Sequence, residues 1–227
     1  MSASPKKIHQ VALLLFPNAE ILDFAGPVEM LSTTTYNNDL YNPEFAFSIH
    51  PIAHAPTVTT GNCLVINVEM TIEEATKRVE EFDVLVVPGG LPTPEMAKTS
   101  CPEIEFIKAF NDANPKRENG DERIQLSVCT GALLIAAAGH LKGLRATTHH
   151  SALEVLKEID GSIDVVPTTG DGAVGRYVDG GLNSKRIRTI TAGGVTCGLD
   201  AGLYVAEIKV GKEAAENVGK QCEYKWK

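Results

Sequence analysis

The sequence has no paired-cysteine motif. Its five cysteines, Cys63, Cys101, Cys129, Cys197 and Cys222, are odd in number and widely spaced. Without a Cys-x-x-Cys pair, neither a zinc ribbon nor a dithiol redox centre is supported. Free thiols at such spacing fit a reducing, cytoplasmic setting. Apolar runs are short, and none approaches the roughly 18 residues that a membrane-spanning helix requires. The apolar stretch at residues 11–16 is too short for a signal peptide and reads as a strand. No Lys/Arg cluster occurs, and 29 acidic against 21 basic residues give a net charge of −8. That balance argues against nucleic acid or an anionic membrane as partner. Repeats, low-complexity tracts and interdomain linkers are also missing, so residues 1–227 are expected to form one domain.

What is present is an alternation. Apolar runs at residues 11–16, 83–87 and 124–128 have the continuous character of strands buried on both faces of a parallel sheet. Helical patterns lie between and after them: residues 26–34 with Pro27 in the first turn, a capping box at 71–74, and apolar faces along 102–110 and 151–159. Two antiparallel hairpins are expected, one at 58–66 around Gly61-Asn62 and one pairing 174–178 with 186–191 across Asp179-Gly180-Gly181. Residues 114–121 read as a polar surface loop. The predicted fold is α/β, a doubly wound, mostly parallel sheet sandwiched by helices. Ligands of such folds bind outside the carboxyl ends of the strands. Residues 23–29, 89–92 (with Leu91), 129–131 and 191–198 are therefore expected to converge.

Cys129 stands between the strand expected at Ile124-Gln-Leu-Ser-Val128 and the small-residue run that follows Gly131. A thiol at a helix N-terminus meets free N–H groups and the positive end of the helix dipole, which favour thiolate and lower its pKa. The turn is a candidate nucleophile elbow; a buried structural cysteine is the alternative. Asp23, ahead of the helix expected at 26–34, reads either as a cap or as an acid/base beside the thiol. Glu29 reads as solvated or as support for the site. Gly89-Gly90 is either a tight turn or a place where backbone approaches a ligand, the Gly90 and Thr130 N–H groups holding developing negative charge. Thr196 is a candidate site-lining hydroxyl. His149 is either a solvated cap or a partner of the thiol. Adjacent His149 and His150 cannot easily converge on one ion, so no metal is expected.

Six segments together resemble the ThiJ/PfpI superfamily of the class I glutamine-amidotransferase-like, flavodoxin-like fold. They are Leu22-Asp-Phe-Ala-Gly-Pro-Val-Glu29, Val86-Val-Pro-Gly-Gly90, Ser127-Val-Cys-Thr-Gly131, Ala138-Gly-His-Leu-Lys-Gly143, Arg145-Ala-Thr-Thr-His149 and Ala192-Gly-Gly-Val-Thr-Cys-Gly-Leu-Asp200. Cys-Thr-Gly with an upstream Asp-Phe-x-Gly-Pro looks like the isocyanide hydratase branch. The resemblance implies a cofactor-free lyase acting on a small electrophile, with Cys129 as nucleophile, Asp23 as acid/base and Gly90 and Thr130 as cradle. It also implies a homodimer. Thr130 replaces the His that follows the cysteine in peptidase members. Glyoxalase and deglycase members usually carry Glu at the position of Asp23, with a histidine at that of His149; a 2-oxoaldehyde is the second substrate expectation. A noncatalytic oxidation sensor working through Cys129 is the third. His150 stands where hydratase members often have an aromatic residue, which implies a different pocket.

Overall fold

The computed structural model describes residues 6–39, 41–61, 63–114 and 121–226. Strands β1 (His9–Leu14), β2 (Phe47–Ala53), β5 (Met70–Thr71), β6 (Val84–Val87), β7 (Arg123–Val128), β10 (Tyr177–Leu182) and β11 (Ile187–Ala192) form one sheet in the order β10-β11-β7-β6-β1-β2-β5. Every pairing is parallel except β10 with β11. The strands β1, β6 and β7 at its centre are almost wholly buried, as their unbroken apolar character predicts. Each fully buried Val or Leu contributes about 1.5–3 kcal/mol, so the centre of the sheet is also the centre of the core.

Helices cover both faces. On one side α1 (Ile21–Ser32) packs on α7 (Cys197–Lys209), which packs on α8 (Lys212–Gln221). On the other lie α2 (Ile72–Lys77), α3 (Thr93–Met96), α4 (Pro102–Asp112), α5 (Gly131–Ala137) and α6 (Leu153–Ile159). The doubly wound α/β architecture expected from the alternation is therefore present. The capping box at α2 is also present: Glu74 N–H donates to Thr71 Oγ1 (3.3 Å) while Thr71 N–H donates to the Glu74 carboxylate (2.8 Å). Two small sheets lie apart, the hairpin β3 (Thr57–Thr60) with β4 (Leu64–Asn67), and the parallel pair β8 (Arg145–Ala146) with β9 (Asp164–Val165). The expected hairpin around Gly61-Asn62 is thus found, although Asn62 itself lies outside the described residues, as do residues 115–120 of the expected surface loop.

Two expectations are corrected. Asp179-Gly180-Gly181 is not a hairpin turn but a bulged part of β10, and the chain reverses at residues 183–186 instead. Asn183 Oδ1 accepts from Lys185 N–H and Ile187 N–H, both at 2.9 Å, which closes that turn. The first helix starts at Ile21, five residues earlier than the proline signal placed it, so Pro27 lies inside it. Pro27 has no N–H for the carbonyl of residue 23, yet the helix continues because its Pro27 side seats on Gly198 and Gly202 of α7.

Candidate active site

Strand β7 delivers the chain to the carboxyl edge of the sheet, where Cys129 takes φ +56 before α5 begins at Gly131. A non-glycine residue in this left-handed region is strained, by about 1–3 kcal/mol, and persists only where its surroundings over-determine it. Here they do. Cys129 N–H donates to the carbonyls of Gly193 (2.9 Å) and Ala192 (3.2 Å), and its own carbonyl accepts from Thr148 Oγ1 (2.8 Å). The close approach of α5 to β6 depends on Gly131, where a Cβ would lie 2.3 Å from the Val87 carbonyl.

Helix α1 brings Asp23 to the same place. Its carboxyl is completely buried, and Oδ2 accepts from Gly89 N–H at 3.0 Å. Among the described residues Oδ1 has no partner at ordinary hydrogen-bond geometry, and the side chain that bonds to this carboxyl is the Cys129 thiol. Burial pushes Asp23 up to about 7, against the opposing pull of the Gly89 N–H and Cys129, with exposed Glu20 adding to the rise. The capping alternative for Asp23 is thereby replaced: it sits inside the first turn and faces inward, not before it. Gly89 permits this contact, since a Cβ there would lie 2.6 Å from Thr130 N and 2.9 Å from Asp23 Oδ2.

The expected depression of the thiol pKa is not found. Burial, and next the charge of Asp23, push Cys129 up to about 12, while the backbone N–H groups of Thr130 and Val195 pull the other way. The sulfur is one of the buried groups, with 7% of the residue exposed, and α5 is only seven residues long. Desolvation of a thiolate in that setting outweighs a short helix's dipole.

The Gly90 N–H expected to face a substrate has a partner within the protein. Gly90 N–H donates to Thr130 Oγ1 (3.0 Å), and that hydroxyl lies 3.2 Å from the Gly90 carbonyl to which it donates. The second N–H facing the sulfur, with that of Thr130, belongs to Val195, at φ +41. Sequence reasoning missed Val195, because a β-branched residue gives no sign of a positive φ.

The remaining candidates divide. Leu91 is 94% exposed and lines a cavity of about 430 Å³ with Asn18, Glu20, Gly61 and Pro92, beside the Gly89-Gly90 turn. His149 caps the turn before α6, its Nδ1 bonded to Ser151 Oγ (2.8 Å), and its ring lies against Gly194 and His150. Burial lowers its pKa, and no hydrogen bond links it to Cys129 or Asp23 among the described residues. Thr196 Oγ1 accepts from Arg176 Nη2 (2.7 Å), and the residue lines a cavity with Arg176, Tyr177 and Asp200. Glu29 is exposed farther along α1, where its charge acts on Cys222; the solvated reading holds for it.

Among the described residues one group has metal-ligand geometry, His9, Asp83 and Asp121. It lies at the opposite end of the strands, and both carboxylates already pair with ammonium groups, Asp83 with Lys7 (2.7 Å) and Asp121 with Lys209 (2.8 Å). No described helix is long and apolar enough to cross a membrane.

Residues 9–174 match the DJ-1/PfpI family. The chain belongs to the DJ-1/PfpI family. Its relatives include a Pseudomonas putida protein named isonitrile hydratase, 31% identical over 95% of this chain and 78% of its own length. A Pyrococcus abyssi protein named a deglycase is 29% identical over 57% of this chain and 67% of its own. Among solved structures, a ThiJ/PfpI family protein from Pseudomonas syringae superposes with TM-score 0.70 at 26% identity, covering 98% of this chain and 78% of that one. Drosophila melanogaster DJ-1beta shares the DJ-1/PfpI fold at TM-score 0.71 and 16% identity, over 97% of this chain and all of the other.

Proposed function

We propose that this DJ-1/PfpI chain hydrates isocyanides to N-formamides without a cofactor. The observation that carries the reading is the buried Asp23 carboxyl, held by Gly89 N–H and turned toward Cys129. The similarity to isonitrile hydratase supports it, and supports an enzyme of this family more broadly.

The raised pKa values assign the protons. At neutral pH the thiol keeps its proton and Asp23 is about half ionised. As the sulfur attacks the terminal carbon of R–N≡C, the Asp23 carboxylate accepts the thiol proton and delivers it to that carbon. The product is a thioimidate, R–N=CH–S–Cys129. Asp23, again ionised, takes a proton from water as the oxygen attacks the same carbon, and returns it to nitrogen. The tetrahedral adduct R–NH–CH(OH)–S then loses its hydroxyl proton and expels the sulfur, which is reprotonated. The sum is R–NC + H₂O → R–NH–CHO. The Thr130 and Val195 N–H groups stabilise negative charge on the sulfur as it leaves.

Conversion of 2-oxoaldehydes is the second reading, favoured by the similarity to the protein named a deglycase. It requires a proton shuttle at His149, whose ring stands at Gly194, next to Val195. The oxidation-sensor reading fits less well, because a buried thiol with an elevated pKa is a poor target for oxidants. The resemblance further carries a homodimer in a reducing cytoplasm, in keeping with five free cysteines.

The test is an assay of purified, reduced protein with a panel of isocyanides and with methylglyoxal, using Cys129→Ser and His149→Ala. Hydration abolished by Cys129→Ser and largely kept in His149→Ala supports the first reading. Hydration that survives Cys129→Ser defeats the covalent route, and methylglyoxal turnover lost in His149→Ala selects the second.

A further inference from the structure

The segment that carries Val195 is gripped from behind by one residue, through its backbone at Gly193 and through its guanidinium at Thr196 and Asp200. Arg176 accepts Gly193 N–H on its own carbonyl (3.0 Å), donates Nη2 to Thr196 Oγ1 (2.7 Å), and donates Nε to Asp200 Oδ2 (2.5 Å). Tyr224 OH donates to the same Asp200 oxygen at 2.7 Å. These anchors bracket Val195, which sits between them at φ +41. A β-branched residue leaves that conformation unless its neighbours hold it there. On the other side, Gly193 is tied through its carbonyl to Cys129 N–H (2.9 Å), so one arginine and the elbow hold opposite edges of the same loop.

We propose that Arg176 is a positioning residue for Cys129: by gripping Thr196 and Asp200 through its guanidinium it holds the Val195 N–H against the sulfur. The proposal rests on Cys129 being the nucleophile, but not on which electrophile it attacks. A guanidinium suits the task because its planar fork reaches two acceptors at once, which an ammonium at the same place does not. The side chain is 44% exposed and borders an open cavity of about 850 Å³, so its removal leaves no void in the core.

The experiment measures alkylation of Cys129 by iodoacetamide against pH, read at the peptide containing residue 129, alongside kcat and KM for an isocyanide. Arg176→Met and Thr196→Val are each expected to slow alkylation at fixed pH by about tenfold, move the profile to higher pH, and lower kcat with KM within about twofold. Thr196→Ser, which keeps the hydroxyl, is expected to behave as wild type. Arg176→Lys is expected to fall with Arg176→Met. Wild-type alkylation in Arg176→Met, or full recovery in Arg176→Lys, overturns the clamp; the second outcome would reduce the role to charge. Should Arg176→Met fail to fold, the Thr196 pair decides alone. Wild-type protein that turns over no isocyanide defeats the hydratase reading and leaves the alkylation comparison intact.

Discussion

Asp23 and Cys129 act on each other in opposite senses: the carboxylate charge raises the proton affinity of the thiol, whereas the thiol's hydrogen bond lowers that of the carboxyl. One is carried by the first helix and the other by the turn after β7, and they meet beside Gly89, which leaves room for Asp23 against Thr130. Burial is the larger cause of both shifts, so the pair keeps one proton across a wide pH range, from about 7 to about 12.

The first prediction concerns rate against pH. Below about 7 the pair carries two protons, and no base is left to release the thiol. With one proton, carboxylate and thiol exchange it during attack. For the hydratase reading, kcat/KM should therefore rise with pH through about 7 and then level. A flat profile between pH 5 and 9 would contradict the assignment of the protons.

Asp23→Asn separates reactivity from catalysis. Removing the carboxylate removes a charge that raises the thiol pKa, so Cys129 in Asp23→Asn should titrate at lower pH in iodoacetamide labelling. Turnover should nevertheless fall by about 10²–10⁴-fold, the usual worth of a positioned acid/base.

The same variant should change stability. Asp23 has a raised folded-state pKa, so the unfolded state binds fewer protons between about 4 and about 7, and stability falls as pH rises through that window. Asp23→Asn should lack this loss and be more stable than wild type at pH 8, by up to about 4 kcal/mol. Equal melting temperatures at pH 8 would count against an ionised, buried carboxyl.

His9 should act in the opposite sense. Burial, with the Lys209 charge next, lowers its pKa to about 4. Its stabilising contribution is present above the unfolded value near 6.5 and is lost as pH falls toward 4. Denaturant titrations of wild type and His9→Gln should show that acid-side loss in wild type only.

Gly89→Ala tests the close approach. Its Cβ would collide with Thr130 N and crowd Asp23 Oδ2, so overpacking should cost about 1–3 kcal/mol and displace the carboxyl from the thiol. Turnover should fall more than stability does. Full activity in Gly89→Ala would show that this glycine is no more than a turn.

Much of this was legible in the chain. The unbroken apolar runs of β1, β6 and β7, the Thr71–Glu74 capping box and the Cys129 turn all state their roles locally, through burial pattern, cap spacing and small residues. The strands β2 and β5, with mixed or very short patterns, did not. Nor did the bulge in β10, where Gly180 and Gly181 imitate a turn that Asn183 closes shortly afterwards.

By itself, the sequence determined the α/β alternation, the cysteine at a strand exit and the carboxyl upstream of it. Only the tertiary structure decided that Asp23 lies within a helix, that the thiol is shielded enough to hold its proton, that the Val195 backbone offers an N–H to the sulfur, and that Thr196 bonds Arg176. The physical reason is that periodicity and capping act over a few residues, whereas desolvation and the aim of a backbone N–H depend on segments far apart in the chain.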